Sequence, residues 1–326
     1  MKRSIFTLSL LMLLSLTAFA QKKKEIKVNT AEELLYALRS DASTIVITAK
    51  EAINLTETLD RWYNSGKLQE ETIAEGVAQS DIFVNDDEDG LGLVMIGLKN
   101  ITIKGKSPKK PAEIVIDPRF PDVLKMDHCE NITLENLVLG HTVQGDMGWC
   151  HGDVLALVGC KNTTVRNCSL FGCGVCGIEA SNISNLLVEN TEIHHCSWDA
   201  IHIHGRNVTF NNCDFHHNAG FMLINVETSN VTFNGCTLRN TNGTLFDEYS
   251  IYNPITMNKC KIIHHEGLGS KMDLVKIINC DVQIDEEGEP DGYSPLGGEV
   301  YDDEGEEMED YGEVQEGNCD YYDDGE

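Results

Sequence analysis

Twelve residues, HHCSWDAIHIHG from His194 to Gly205, gather four imidazoles, a thiol, an indole and a carboxylate. Neutral imidazole serves as a general base near neutrality and as a transition-metal ligand. His202 and His204 are two residues apart, so on a strand they project from one face about 6.5 to 7 Å from each other. With a carboxylate alongside they suit proton abstraction or metal ligation, and the neighbouring Trp198 suits stacking against a sugar ring. What these groups can do depends on the elements that hold them.

Those elements repeat. NITI at Asn100, NITL at Asn131, NTTV at Asn162, NLLV at Asn185 and NVTF at Asn207 and Asn230 are spaced by 31, 31, 23, 22 and 23 residues, and NPITM at Asn253 continues the series. A period near 22 is too short for two packed helices and suits one coil of a parallel β-solenoid. Within NVTFNNCDF, Val208 and Phe210 alternate with polar residues, Asn211-Asn212 breaks the run, and Cys213 and Phe215 resume it. Asn tolerates the left-handed backbone of such a corner, so Asn136, Asn167 and Asn190 with Asn212 predict a ladder of stacked turns, continued at Gly235 and Lys259. Leu137, Cys168, Thr191, Cys213, Cys236 and Cys260 follow as an inward column. Equivalent residues of parallel strands lie about 4.8 Å apart and point the same way, which disfavours disulfides, so free thiols are expected there.

The ends suit this architecture. TAEELLYALRS places Thr30 and Glu33 in capping-box spacing ahead of Leu34, Leu35 and Leu38, predicting an amphipathic helix near 30–40 that covers the first coil. Residues 57–90 stand outside the repeat; NDDEDG begins like a calcium loop but has Ile96 where a bidentate Glu is required, and reads as a solvated loop.

The stacked N-[IVL]-T-[ILVF] units with N-C-x-[LF] corners, the strand DVLAL and the stretch CSLFGCGVCGIEA resemble the right-handed parallel β-helix repeat proteins of the pectin-lyase-like superfamily, over roughly residues 28–284. The resemblance implies three sheets per coil, with ligands bound along the outer face of the first. The superfamily includes polysaccharide lyases, glycoside hydrolases, epimerases and proteins without known chemistry, so the fold does not choose a function.

Aligning WCHGDVLALVG, GCGVCGIEASN, HCSWDAIHIHG and HHNAGFMLINV registers that sheet. Leu155, Ile178, Ile201 and Met222 form an inward column. Outward stand Lys125, Ala156, Glu179, His202 and Leu223, and beside them Asp127, Val158, Ser181, His204 and Asn225. Asp122, Asp153, Cys176 and Asp199 stack at the corner entering the strand, and Cys150, Cys173, Cys196 and His217 precede them. A four-ligand zinc site in that last column is excluded, because its ends lie about 14 Å apart; a Cys173–Cys196 disulfide is the easier arrangement. Cys173-Gly-Val-Cys176 reads as a structural turn.

Three readings of the groove stand side by side. His202, His204 and Glu179 form the catalytic set of a polysaccharide site, with Trp149, Trp198, Asp199, Asp153 and Lys125 binding substrate. The same His202, His204 and Glu179 form a transition-metal site. Or the face is a polar ladder turned to water on a non-catalytic scaffold for adhesion or assembly. A lyase must neutralise a uronate carboxylate; Lys125 lies about 14 Å from His202, so an elimination here would need calcium, on Asp153 and Asp199.

The formal charge of -28 is unevenly spread: residues 285–326 hold 19 Asp or Glu and no Lys or Arg. With few aliphatic residues this segment is expected to be a disordered acidic tail. Residues 21–284 hold 23 basic and 34 acidic side chains, so both parts repel phosphate and nucleic acid is excluded as a partner. Lys2 and Arg3, the apolar run from Ile5 to Phe19 and the Ala18-Phe19-Ala20 site read as a secretory signal over residues 1–20, cleaved before Gln21. No second apolar run is long enough to span a bilayer, and the expected location is periplasmic or secreted.

Overall fold

The structure is a computed structural model that describes residues 24–71, 80–142, 151–172, 175–218, 224–226, 230–240, 245–246, 251–264 and 268–284. The predicted signal and acidic tail lie outside them, as do Trp149, Cys150, Cys173, Met222 and Leu223.

The chain winds as a parallel solenoid with three strand positions per coil. The first sheet stacks Gly90–Ile96, Leu124–Asp127, Leu155–Val158 and the leading parts of Ile178–Glu189 and Ile201–Asn211, then Ile224–Val226. The second runs through Lys99–Lys104, Glu130–Glu135, Lys161–Arg166, the trailing parts of the same two long strands, and Val231–Asn234, Ile255–Asn258 and Val275–Ile278. The third extends from Ile53–Asn54 to Asp281–Ile284.

Two Asn ladders turn the coils. The repeat asparagines themselves, Asn100, Asn131, Asn162, Asn185, Asn207 and Asn230, all hold positive φ between 55 and 67°. Their side-chain amides hydrogen bond coil to coil, Asn162 to Asn131 at 2.9 Å and Asn185 to Asn162 at 2.8 Å. The predicted ladder at Asn136, Asn167, Asn190 and Asn212 also forms, with links of 3.2 to 3.4 Å. A corner thus satisfies its amides with its neighbour's, which only a stack can do.

Inside, like stacks on like. Phe210 and Phe233 lie parallel with ring centroids 4.9 Å apart and are fully buried. Leu137, Cys168, Thr191, Cys213, Cys236 and Cys260 are all buried, and these cysteines are free thiols. Their Sγ atoms donate to backbone carbonyls, Cys213 to Val188 and Cys236 to Phe210. Burial pushes the Cys168 thiol up to about 11, so it stays protonated.

A helix, α1 (Ala31–Leu38), starts at the expected cap: Thr30 Oγ1 accepts the Glu33 N–H at 3.2 Å, and Leu34, Leu35 and Leu38 are buried in the common core. Residues 57–90, expected to stand outside the repeat, carry regular structure among the described residues. They contain most of a second helix, α2 (Thr56–Asn64), and one arm of an antiparallel hairpin, Asp81–Asp87 against Gly90–Ile96. NDDEDG straddles the hairpin turn, and Asp89 accepts the N–H groups of Arg119 and Phe120 at 2.7 and 3.0 Å. Asp81–Asp87 pairs antiparallel in a hairpin and is not a coil of the repeat, so no periodicity marked it in the sequence.

Candidate functional site

The groove row forms as aligned. Val94, Lys125, Ala156, Glu179 and His202 are register partners across successive strands of the first sheet. Val94 extends the row beyond the predicted start.

Beyond Ala180 the register changes. Ala180 pairs with Ile203 but Ile183 pairs with Gly205, so Ser181 and Asn182 together face His204. Asn182 takes a positive φ of 54° at this bulge. His204 is exposed and out of step with Glu179. Glu179 instead accepts the Ser181 hydroxyl at 2.7 Å. Among the described residues, three ligand atoms of His, Cys, Asp or Glu come within 4.8 Å of one another only on the third sheet; His202, His204 and Glu179 are not brought together in that way.

One coil further the alignment slips. Ile201 pairs with Ile224 rather than Met222, and His202 with Asn225 rather than Leu223. Met222 and Ile224 have the same parity in an apolar run, so alternation alone cannot separate them. The preceding stack slips by one: His195 lies over His217, rings 5.2 Å apart, and Cys196 N–H donates to Asn218 Oδ1 at 3.0 Å. Cys196 is a buried free thiol, and Cys173, its expected disulfide partner, lies outside the described residues.

The corner carboxylates form a staircase. Asp122 Oδ1 accepts the Asp153 N–H at 2.8 Å, and Asp153 Oδ1 accepts the Cys176 N–H at 2.8 Å. Burial pushes the Asp122 carboxyl up to about 6, with nearby Glu179 and Glu71 adding to the rise. Burial, then Asp122 and Glu179, push Asp153 well above the carboxylate range. Asp199 is buried one coil beyond Cys176, so the calcium pair Asp153 and Asp199 is split by the Cys176 side chain. Trp198 is half-buried, its backbone N–H donating to Val175 O at 3.1 Å.

Lys125 is not a free cation. Its Nζ lies 2.5 Å from Glu71 Oε1, both side chains being about four-fifths buried, at 21 and 16 % exposure. Glu71 was missed in the sequence because it sits in the segment outside the repeat. Glu71, Asp122, Lys125, Asp153 and Glu179 therefore come together at one groove, with His202 beside Glu179 on the next coil. That set can hold a proton on one carboxyl group beside an ionised partner, the arrangement general acid and base work requires. A shallow concavity lined by Asn162, Thr164, Asn185, Leu187 and Thr209 lies on the second sheet, away from these groups.

The family model described as right handed beta helix region matches residues 126–283. No curated protein matches the sequence. Among solved structures the chain is similar to an alginate lyase from Paenibacillus sp. str. FPU-7, at 11 % identity and TM-score 0.36, over 80 % of this chain and 97 % of that one. It is similar to a pectate lyase from Paenibacillus sp. 0602, at 10 % identity and TM-score 0.47, over 85 and 80 %. It is also similar to pectate lyase II from Xanthomonas campestris pv. campestris, at 12 % identity and TM-score 0.31, over 84 and 83 %. No helix among the described residues is long and apolar enough to cross a membrane. The match over residues 126–283 and the parallel stacking of its strands make the fold of this chain a right-handed parallel β-helix.

Proposed function

We propose that the protein is an extracytoplasmic carbohydrate-binding or carbohydrate-processing β-helix protein, exported by residues 1–20 and acting through the groove of its first sheet. The observation that carries this reading is the convergence of Asp122, Asp153 and Glu179 beside His202. A carboxyl group that keeps its proton near neutrality donates to a glycosidic or ring oxygen, while an ionised neighbour or His202 accepts one. Glu179, His202 and the exposed His204 line the path of a chain laid across the coils, and Asp153, Asp199 and Trp198 meet it at the strand corner.

Charge restricts the substrate. Four carboxyl groups face one ammonium, and Lys125 is committed to Glu71. Lyase-like elimination on a polyuronate therefore requires calcium to neutralise the uronate, whereas hydrogen bonding to the hydroxyls of a neutral glycan does not.

The test is a screen of the mature protein on acidic and neutral polysaccharides, with calcium or with chelator, reading unsaturated-product absorbance, reducing ends and binding. Calcium-dependent absorbance on a polyuronate supports a lyase. Saturable binding without turnover keeps the groove and rejects the enzyme. Neither signal on any glycan removes the carbohydrate reading.

A further inference from the structure

Away from the groove, two of the three His-His dipeptides in the sequence, His194-His195 and His216-His217, sit one coil apart on the third sheet. Strands Glu192–His194 and Asp214–His216 pair in register, His194 opposite His216. The two rings stack at 5.0 Å and 10°, and His195 stacks on His217 at 5.2 Å and 10°. Within each dipeptide the two Nδ1 atoms face each other at 2.7 Å.

The corner positions are unusual in side chain. His195 and His217 hold φ of 55 and 51°, and the next corner, Asn240, holds 48°. Asn occupies most other non-glycine corners of positive φ in this protein. An imidazole gains nothing there for the backbone over Asn, so its ring is what the position uses.

Hydrogen bonding fixes the tautomers. His216 Nε2 lies 2.6 Å from Glu192 Oε1, so Nε2–H donates to the carboxylate and Nδ1 keeps its lone pair. This is the carboxylate support that metal-ligating histidines receive. His194 Nε2 lies 2.9 Å from Ser169 Oγ, a hydroxyl able to accept its proton so that Nδ1 keeps its lone pair in the same way. In each dipeptide the corner imidazole then donates its Nδ1–H to the strand imidazole, and moving the His195 proton to its own Nε2 frees that Nδ1 lone pair to serve as a ligand as well.

We propose that His194, His195 and His216, with His217 alongside, bind one divalent transition-metal ion of the imidazole-preferring class, zinc, copper or nickel, with Glu192 orienting His216 from outside. The ligand atoms of His194, His195 and His216 already lie within 4.8 Å of one another. Ligands bonded at about 2.0 to 2.1 Å lie up to roughly 4.2 Å apart, so small ring rotations close the set. Glu192, Asp214 and His216 form an overlapping trio, but Asp214 is held by Arg239 at 2.8 and 3.2 Å.

The experiment is calorimetric titration of the untagged, chelator-stripped mature protein with zinc chloride, copper sulfate and nickel chloride. Wild type is expected to take up one equivalent of at least one of them. The His195→Asn/His217→Asn protein keeps an Asn at each left-handed corner and is expected to lose affinity at least tenfold, with an unchanged circular dichroism spectrum. His202→Ala/His204→Ala is expected to bind as wild type does. No stoichiometric uptake by wild type overturns the proposal, as does uptake that survives His195→Asn/His217→Asn.

Discussion

Asp122 accepts the backbone N–H of Asp153 at 2.8 Å, and that one bond ties the carboxyl group of one coil to the backbone of the next. Each step of the staircase serves the backbone and the groove at once.

The raised Asp122 carboxyl makes stability depend on pH with a defined sign. From pH 3.8 to about 6 the folded protein holds a proton that the unfolded chain releases, so this group's contribution falls as pH rises through that window. His194 and His195, lowered to about 4, act oppositely and raise stability from about pH 4 to 6.5. Asp122→Asn is therefore expected to gain stability relative to wild type as pH goes from 4 to 7, measured as the difference in unfolding midpoint. A constant difference contradicts the assignment.

Lys125 and Glu71 form a pair largely removed from water. Lys125→Met leaves the Glu71 carboxylate uncompensated and is expected to cost about 3 kcal/mol in denaturant unfolding. Adding Glu71→Gln to that variant should restore most of the loss.

The phenyl stack is the solenoid's interior in miniature. Phe210→Ala removes a fully buried ring lying on Phe233 and is expected to cost about 3 to 5 kcal/mol.

At Asn162 the φ of 55° and both ladder bonds depend on the side chain. Asn162→Ala is expected to cost about 1 to 2 kcal/mol, and Asn162→Gly less, because glycine adopts this backbone freely while forfeiting only the amide links.

How far the sequence spoke depends on what each feature repeats. The coil period, the Asn corners and the thiol column are written many times over, and alternation with a period of two fixes which face each strand residue takes. The groove row from Lys125 to His202 followed from the same alternation. The bulge at Ser181-Asn182 was also written, since Ile178 to Ile201 spans 23 residues and Asn185 to Asn207 spans 22; one residue must be left over between them. Glu71 was illegible because it reaches the groove from a segment with no repeat to register it. The imidazole cluster needed a one-residue correction of the loop stack, although two His-His dipeptides set 22 residues apart already matched the coil period.

The most direct measurement of the central claim is titration of glycans onto the wild-type protein and onto Asp153→Asn, Glu179→Gln and His202→Ala, each checked for an unchanged fold by circular dichroism. Binding of a glycan by wild type that falls at least tenfold in Glu179→Gln and His202→Ala is the predicted result. Binding that is indifferent to all three substitutions, or absent from wild type on every glycan, contradicts a carbohydrate site in this groove.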